Sequence, residues 1–225
     1  MRRSICRSHV GAGLHAMAAH LLLTSFFAGK PAPTKQFHRS PQGVIDMSNT
    51  ETITLAGGCF WCTESVFKEV RGVLDVESGY SNGQETAPTY EQVCTGRTGC
   101  AEVVKLSYDP AQVSTRQLLE ILFATHDPTT LNRQGHDVGT QYRSGIYFTT
   151  PEQKDVADDL IRQMSQDKLF GAPIVTEVLP LEHYFAAEDY HQDFFEKNPH
   201  QGYCMAVAAP KVAKFRKTFK ELAKG

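Results

Sequence analysis

The sequence has no large excess of either charge, since 23 lysine and arginine residues are opposed by 25 aspartate and glutamate residues. A net charge of -2 gives no electrostatic reason to expect a nucleic acid as partner. The chain also lacks an apolar run long enough to cross a membrane. No P-loop, dinucleotide fingerprint or internal repeat is present, and six cysteines are too few for a disulfide-dense secreted scaffold. These absences leave a globular protein whose cysteines suit a redox or metal role.

Acidic residues are missing from the first 45 positions, which carry six basic ones: Arg2, Arg3, Arg7, Lys30, Lys35 and Arg39. Together with the largely apolar Met17–Phe27, this composition is typical of a secretory or transit peptide. A dispensable extension is the third interpretation, because Met47 begins a polar lead-in to the first predicted strand. We therefore treat residues 1–46, with Cys6, as an N-terminal extension and residues 47–225 as one domain. We expect a cytoplasmic protein if the extension is a leader read through from an upstream start, and an exported or organellar protein otherwise.

The chain is organised around the stretch Gly57-Gly58-Cys59-Phe60-Trp61-Cys62. The β-branched run Thr52–Leu55 predicts a strand before it, and apolar residues at helical spacing predict a helix after it. Cys59 then lies at the first helical turn, where free N–H groups and a partial positive charge favour the nucleophilic thiolate. The alternative is a buried, inert thiol beside two core aromatic rings. The double glycine, the helix start and Cys62 three residues on favour a reactive thiol.

Strands and helices alternate along the rest of the domain. The predicted strands are Thr52–Ala56, Val73–Ser78, Ala101–Tyr108, Ser144–Thr149 and Ile174–Leu179, and the main helices are Cys59–Val70, one from Ser114, one from Thr150 to about Lys168, and Val212–Ala223. Ser114 and Gln117 have capping-box spacing, and Glu64 and Lys68 are expected to pair on an exposed helix face. The polar run His126–Arg143 predicts a functional loop. The order predicts an α/β (α+β) fold with a mixed sheet under covering helices, a two-layer split-βαβ, ferredoxin-like core and a long C-terminal coil.

Several ordered motifs resemble one enzyme family. At Gly58–Trp61 the sequence is similar to the A-type peptide methionine sulfoxide reductases. Further blocks follow in the family's order: Pro88–Val104, His126–Thr130, Gln134–Ser144, Ala187–Phe194 and Asn198–Cys204. The resemblance covers nearly everything outside the N-terminal extension. It implies an oxidoreductase that repairs oxidised proteins by reducing the S epimer of methionine sulfoxide, protein-bound or free, to methionine.

The resemblance also implies a role for each residue at the reacting centre. Cys59 would attack the sulfoxide sulfur as a thiolate, and Glu102 would protonate the departing oxygen. A carboxyl group in a partly apolar pocket can do this near neutral pH because burial raises its pKa. Tyr90 and Tyr142 would hold the sulfoxide oxygen through their hydroxyls. Asp137 is expected to lie with Tyr142 near the reacting sulfur.

Substrate selection and turnover involve a second set of residues. Phe60 and Trp61 would hold the methyl group. A pocket that binds the methyl group on aromatic rings and the oxygen on hydroxyl groups is chiral, which accounts for the preference for the S epimer. Oxygen transfer leaves Cys59 as a sulfenic acid, with which a second thiol must condense. Cys204 matches the family's resolving cysteine, whereas Cys62, often glycine in the family, is closer in sequence. Thioredoxin, or dithiothreitol in vitro, would reduce the disulfide, and no bound cofactor or metal is expected.

Two cysteines and two rival interpretations remain. Cys100 stands where the family usually has histidine and has no assigned role, and Cys94 is expected to be a core residue. A thioredoxin-like disulfide oxidoreductase would explain Cys59-x-x-Cys62 but none of the downstream blocks. A structural zinc site would need other cysteines whose spacing is poor for a zinc knuckle. We expect a monomer whose partners are oxidised proteins, free methionine sulfoxide and thioredoxin, with no nucleic acid or membrane.

Overall fold

A six-stranded sheet frames the structure, a computed structural model that describes residues 49–225. Its strands are β1 (Glu51–Gly57), β2 (Val73–Ser81), β3 (Ala101–Tyr108), β6 (Ser144–Phe148), β7 (Glu177–Pro180) and β8 (Phe185–Ala186), while β4 (Arg133–Gln134) and β5 (Asp137–Val138) form a separate hairpin. The helices are α1 (Phe60–Phe67), α2 (Tyr90–Cys94), α3 (Thr115–Thr125), α4 (Pro151–Gln166), α5 (Phe194–Lys197) and α6 (Ala209–Thr218). The extension predicted over residues 1–46, with Cys6, lies outside the described residues.

The strand order β7-β6-β1-β3-β2-β8 confirms the predicted mixed α/β fold. Helix α1 joins β1 to β2, and β3 lies between these two strands and antiparallel to both. This is the split-βαβ arrangement. Strand β6 pairs antiparallel with the other edge of β1, and β7 adds to β6 in parallel.

The two faces of the sheet bury different sets of side chains. Ile53 and Leu55 of β1 join Val104 and Leu106 of β3 in the main core, which is completed by the helices. Ala56, Ala101, Val103 and Tyr147 form a smaller cluster on the other face, under Leu181 and Tyr184. Because side chains alternate along a strand, Glu102 shares the helix-facing side of β3 with Val104 and Leu106.

The predicted starts of α3 and α4 are confirmed. Ser114 and Gln117 form the reciprocal capping box at α3, and Pro151 occupies the first turn of α4 after the Thr150 cap. Such a cap stabilises a helix by roughly 1 kcal/mol. The predicted polar loop contains the β4–β5 hairpin and the short helical turn Thr140–Tyr142.

Two predicted elements near the C-terminus have different bounds. Strand β7 begins three residues later than predicted because its ladder to β6 starts with the Gly145–Glu177 pair. Helix α6 begins earlier, after a wide helical turn over Cys204–Ala208, and ends at Thr218. Phe219 leaves helical geometry and packs into the core at the end of the helix.

The predicted exposed pair of Glu64 and Lys68 is wrong. Glu64 is 1% exposed, and its carboxylate accepts hydrogen bonds from the N–H groups of Asp193, at 2.9 Å, and Phe194, at 3.2 Å. Lys68 forms an ion pair with Asp193 instead. The C-terminal coil covers this face of α1, which helical periodicity alone does not foresee. Helix α1 thereby fixes the coil beside its own first turn.

Candidate active site

The predicted turn between β1 and α1 places Cys59 at the start of the helix. Gly58 has φ +91°, and a Cβ there would lie 2.5 Å from the Cβ of Gln134, so both conformation and space require glycine. Cys59 is the N-cap of α1, and its carbonyl accepts the N–H of Cys62 at 3.1 Å. The turn thus presents the Cys59 side chain at the end of the central strand, next to the polar loop.

Glu102 lies directly beneath this helix start. Its Oε2 accepts the Phe60 N–H at 3.1 Å, and the side chain is 1% exposed. Burial raises the pKa of Glu102 to about 8, against the opposing effect of the Phe60 hydrogen bond. The carboxyl group is therefore mostly protonated at neutral pH. Its charged form would in turn raise the pKa of the Cys59 thiol, which reflects how close the two groups are.

Aromatic side chains surround the first turn of α1. The Phe60 ring lies 6.4 Å from Tyr90 and 5.0 Å from His191, measured between ring centroids. The Trp61 ring stacks on Phe194 at 3.7 Å, and its Nε1–H donates to His191 Nδ1 at 3.1 Å. Burial lowers the pKa of His191 to about 4, so this imidazole is neutral and the cluster carries no net charge at pH 7. The rings form an apolar wall beside Cys59.

Cys59 and Cys62 form a hydrogen-bonded thiol pair. The hydrogen bond from Cys59 lowers the pKa of Cys62 to about 7, and the charge of Lys211 assists. Burial raises the pKa of Cys59 itself, and the hydrogen bond and charge of Cys62 add to this. The sequence suggested that the helix start would favour the Cys59 thiolate. In the structure the pKa of Cys59 is raised instead. The two thiols titrate as a coupled pair, and their shared hydrogen bond favours loss of the first proton from Cys62.

Tyr203 joins this pair to Asp137. The Cys62 thiol donates to the Tyr203 hydroxyl at 3.6 Å, and the hydroxyl donates to Asp137 Oδ2 at 2.9 Å. Burial raises the pKa of Asp137, whereas the Tyr203 hydrogen bond and the charge of Lys211 lower it. Sequence reasoning missed Tyr203, although its place directly before Cys204 in the Asn198–Cys204 block was a usable signal.

A cavity of about 210 Å³ opens on Cys59 from the side of the polar loop. Its walls are formed by Cys59, Gln134, Gly135, His136, Asp137, Gly202, Tyr203, Ala206, Val207 and Lys211. Cys59 is 8% exposed, whereas Cys62 is 1% exposed. Of the paired thiols, Cys59 is thus the one that a small molecule in the cavity can reach.

The remaining predicted residues lie at different distances from this centre. Cys204 is fully buried at the start of the wide helical turn. Burial raises the pKa of Cys204, and the charge of Cys62 raises it further. Tyr142 is buried at the end of the Thr140–Tyr142 turn and is not among the residues that line the cavity, and the Tyr203 hydroxyl is hydrogen-bonded to Asp137. Cys100 is buried against Gly83, whose position leaves no room for a Cβ beside the Cys100 sulfur.

These features define a thiol-based oxidoreductase site. All five cysteines between residues 49 and 225 are free thiols. No group of three or more potential metal ligands occurs in the described part of the chain, and no helix in that part is long and apolar enough to cross a membrane. A buried acid, a reachable thiol and a partner thiol are the groups that this chemistry requires.

Comparisons with known proteins identify the family. The family model for peptide methionine sulfoxide reductase matches residues 51–223. The chain is 52% identical over 178 residues to peptide methionine sulfoxide reductase MsrA of Deinococcus radiodurans, covering 79% of this chain and 86% of that protein. It is 52% identical over 174 residues to MsrA of Saccharolobus solfataricus, covering 77% and 97%.

Solved structures agree with the sequence comparisons. Reduced Mxr1 from Saccharomyces cerevisiae superposes with a TM-score of 0.65 at 36% identity, covering 71% of this chain and 91% of that one. Methionine sulfoxide reductase A of Corynebacterium diphtheriae gives 0.62 at 37% identity, covering 77% and 88%. The chain belongs to the peptide methionine sulfoxide reductase family, as its motifs predicted. It is an oxidoreductase that reduces methionine sulfoxide.

The raised pKa of Glu102 predicts a pH-dependent cost to folding. The group ionises near pH 4.5 when exposed and near 8 when folded, so the folded state binds the extra proton between these values. Stability associated with Glu102 is present below about pH 4.5 and is lost as pH rises toward 8. Glu102→Gln should therefore be more stable than wild type at pH 8.5, by a few kcal/mol on the order of the pKa shift, with a much smaller gain at pH 5. Urea unfolding at both values measures this difference.

Glu77→Gln is the matched control, because the pKa of Glu77 is lowered: its hydrogen bond and ion pair with Lys105 outweigh its partial burial. That variant should gain nothing at pH 8.5. Equal effects of Glu102→Gln at pH 5 and pH 8.5 would contradict a protonated Glu102 in the folded protein.

Proposed function

We propose that the chain reduces the S epimer of methionine sulfoxide, protein-bound or free, with Cys59 as nucleophile and Glu102 as acid. The observation that carries this proposal is the buried Glu102 carboxyl beneath the N-cap cysteine, anchored by the Phe60 N–H at 3.1 Å. It supplies a proton donor at neutral pH beside the thiol that faces the cavity. Repair of oxidised methionine in proteins is the role that follows.

Thiolate at Cys59 arises by proton transfer within the thiol pair. Because its pKa is lowered, Cys62 is the thiol that ionises first, and the Cys62 thiolate can then accept the Cys59 proton. This transfer runs against the two pKa values and is drawn forward by the reaction of the Cys59 thiolate with the substrate. The Cys59 sulfur then bonds to the substrate sulfur, and the sulfoxide oxygen becomes basic. Glu102 protonates this oxygen, and the oxygen passes to Cys59 as the substrate leaves as methionine. Cys59 is oxidised to a sulfenic acid, and the substrate sulfur is reduced.

Two kinds of surface select the epimer. Phe60 and Trp61 belong to the apolar wall and would take the methyl group. Tyr90 packs on Phe60. Burial raises the pKa of Tyr90, and the charge of Glu102 raises it further. This closeness to Glu102 supports a place for the Tyr90 hydroxyl near the sulfoxide oxygen. Tyr142 has the same proposed role from the family motif, and Asp137 is proposed to hold the substrate or a water beside the sulfur. Methyl and oxygen cannot exchange sides without placing the oxygen on aromatic rings.

Resolution of the sulfenic acid is proposed to proceed by relay. The Cys62 thiol is hydrogen-bonded to Cys59 and condenses with the sulfenic acid, forming the Cys59–Cys62 disulfide and releasing water. Cys204 lies within electrostatic range of Cys62 and attacks this disulfide, which frees Cys59. Thioredoxin, as an external dithiol, then reduces the Cys62–Cys204 disulfide, and dithiothreitol replaces it in vitro.

The function is tested with racemic methionine sulfoxide and dithiothreitol, following both epimers by chiral chromatography. The wild-type protein should consume only the S epimer. Cys59→Ser should lose activity by at least about 10³-fold, because a hydroxyl is a far weaker nucleophile than a thiolate.

Cys100→Ser is the control, since Cys100 is buried away from the cavity and should be replaceable with little loss of rate. Full activity of Cys59→Ser, or consumption of neither epimer by the wild type, would overturn the proposal. Reduction of a protein disulfide without sulfoxide reduction would favour a disulfide oxidoreductase instead.

The relay predicts how many turnovers occur without reductant. The wild type should release about two methionines per chain, because Cys204 frees Cys59 for a second reaction. The second reaction should be slower, since Cys62 is then in a disulfide and cannot accept the Cys59 proton. Cys204→Ser should release about one and stop at a Cys59–Cys62 disulfide. Quenched single-turnover reactions, with methionine counted and disulfides mapped by peptide mass, distinguish these outcomes. One methionine from the wild type, with Cys204 still a thiol, would contradict the relay.

A further inference from the structure

The lining of the cavity carries two opposite charges. Asp137 of β5 and Lys211 of α6 both line the cavity of about 210 Å³ that opens on Cys59. This volume equals that of roughly seven water molecules of the liquid, which suits a small organic molecule. The rings of the aromatic wall do not line this cavity. The cavity is therefore available to the end of the substrate that lies away from its methyl group.

The ammonium group of Lys211 forms no ion pair with the described part of the chain. Within residues 49–225, no carboxylate lies within ion-pairing distance of its ammonium group, whereas Lys68, Lys105 and Arg216 each have an acidic partner. Lys211 is half-buried in the first turn of α6, where the cavity partly shields it from solvent. Its positive charge lowers the pKa of Asp137, which also lines the cavity, and of the buried Cys62. A partly desolvated cation facing a substrate cavity is suited to an anionic ligand group.

We propose that Lys211 binds the α-carboxylate of free methionine sulfoxide while Asp137 faces its ammonium group. This inference rests on the proposed function. A free amino acid carries one negative and one positive charge, and the cavity offers the complementary pair. In a protein, an internal methionine sulfoxide has neutral amide groups at both positions, so Lys211 has no charge to pair with. Lys211 therefore favours the free amino acid over the internal residue.

The test compares a substrate that carries both charges with one in which both are blocked. S-methionine sulfoxide and its N-acetyl, N-methylamide derivative are assayed with dithiothreitol at the same pH. Lys211→Met should lower kcat/KM for the free amino acid about tenfold, mainly through KM, because the ion pair forms before the chemical step. For the blocked derivative, kcat/KM should change less than about twofold. Lys211→Arg should restore most of the loss, since it keeps the charge.

Lys217→Met is the charge-matched control, because Lys217 is an exposed residue of the same helix and is not part of the cavity lining. It should change neither substrate's kinetics. An equal loss for both substrates in Lys211→Met would show that Lys211 acts on the thiols and would overturn the carboxylate site. Unchanged kinetics for both would overturn it as well. Failure of the wild type on both substrates would instead overturn the proposed function, and this inference with it.

Discussion

The burial of Glu102 under the first turn of α1 is the constraint on which the rest of the site depends. The Phe60 N–H that anchors it is one of the groups a helix start leaves unpaired. Burial costs the carboxylate its hydration, and a single hydrogen bond does not compensate, so the group holds its proton at neutral pH. A proton donor is thereby fixed at the start of the same helix that presents the nucleophile. The split-βαβ topology makes this possible because β3 lies beside β1.

The thiol pair solves a problem that the same burial creates. A buried Cys59 beside an acid would be a poor thiolate, and its pKa is indeed raised. Cys62 lies one turn along the helix, where the hydrogen bond from Cys59, the charge of Lys211 and the Tyr203 hydroxyl lower its pKa to about 7. The proposed nucleophile and the proposed acid can then coexist in one buried site, because an ionised Cys62 lies beside Cys59 and can accept its proton. Tyr203 extends this arrangement to Asp137 on the polar loop.

The sequence was sufficient for the fold and for the positions of Cys59 and Glu102 in it. Strand alternation and helix caps predicted β1, β3, α3 and α4 closely, because these signals are local. The turn at Gly58 and the family motifs placed Cys59 and Glu102. Local patterns failed where the C-terminal coil returns to α1: Glu64 is buried by Asp193 and Phe194, more than 120 residues away in sequence. Tyr203 and Lys211 reach the cavity for the same long-range reason, so neither stood out from sequence spacing.

The polar loop and the coil give the site its two unlike sides. The coil supplies His191 and Phe194 to the aromatic wall, and the β4–β5 hairpin supplies Asp137 to the cavity. Gly58 lets the Gln134 side chain of the polar loop approach the turn that carries Cys59. A substrate that is apolar at one end and charged at the other fits this division.

The protonation state of Glu102 at neutral pH is the most direct test. Infrared difference spectra of the wild type against Glu102→Gln, recorded from pH 6 to pH 9, report the carbonyl stretch of a protonated carboxyl group. We predict a band that is present at pH 7, absent from the variant and lost as pH rises through about 8. A carboxylate signal for Glu102 already at pH 7 would contradict its role as the acid.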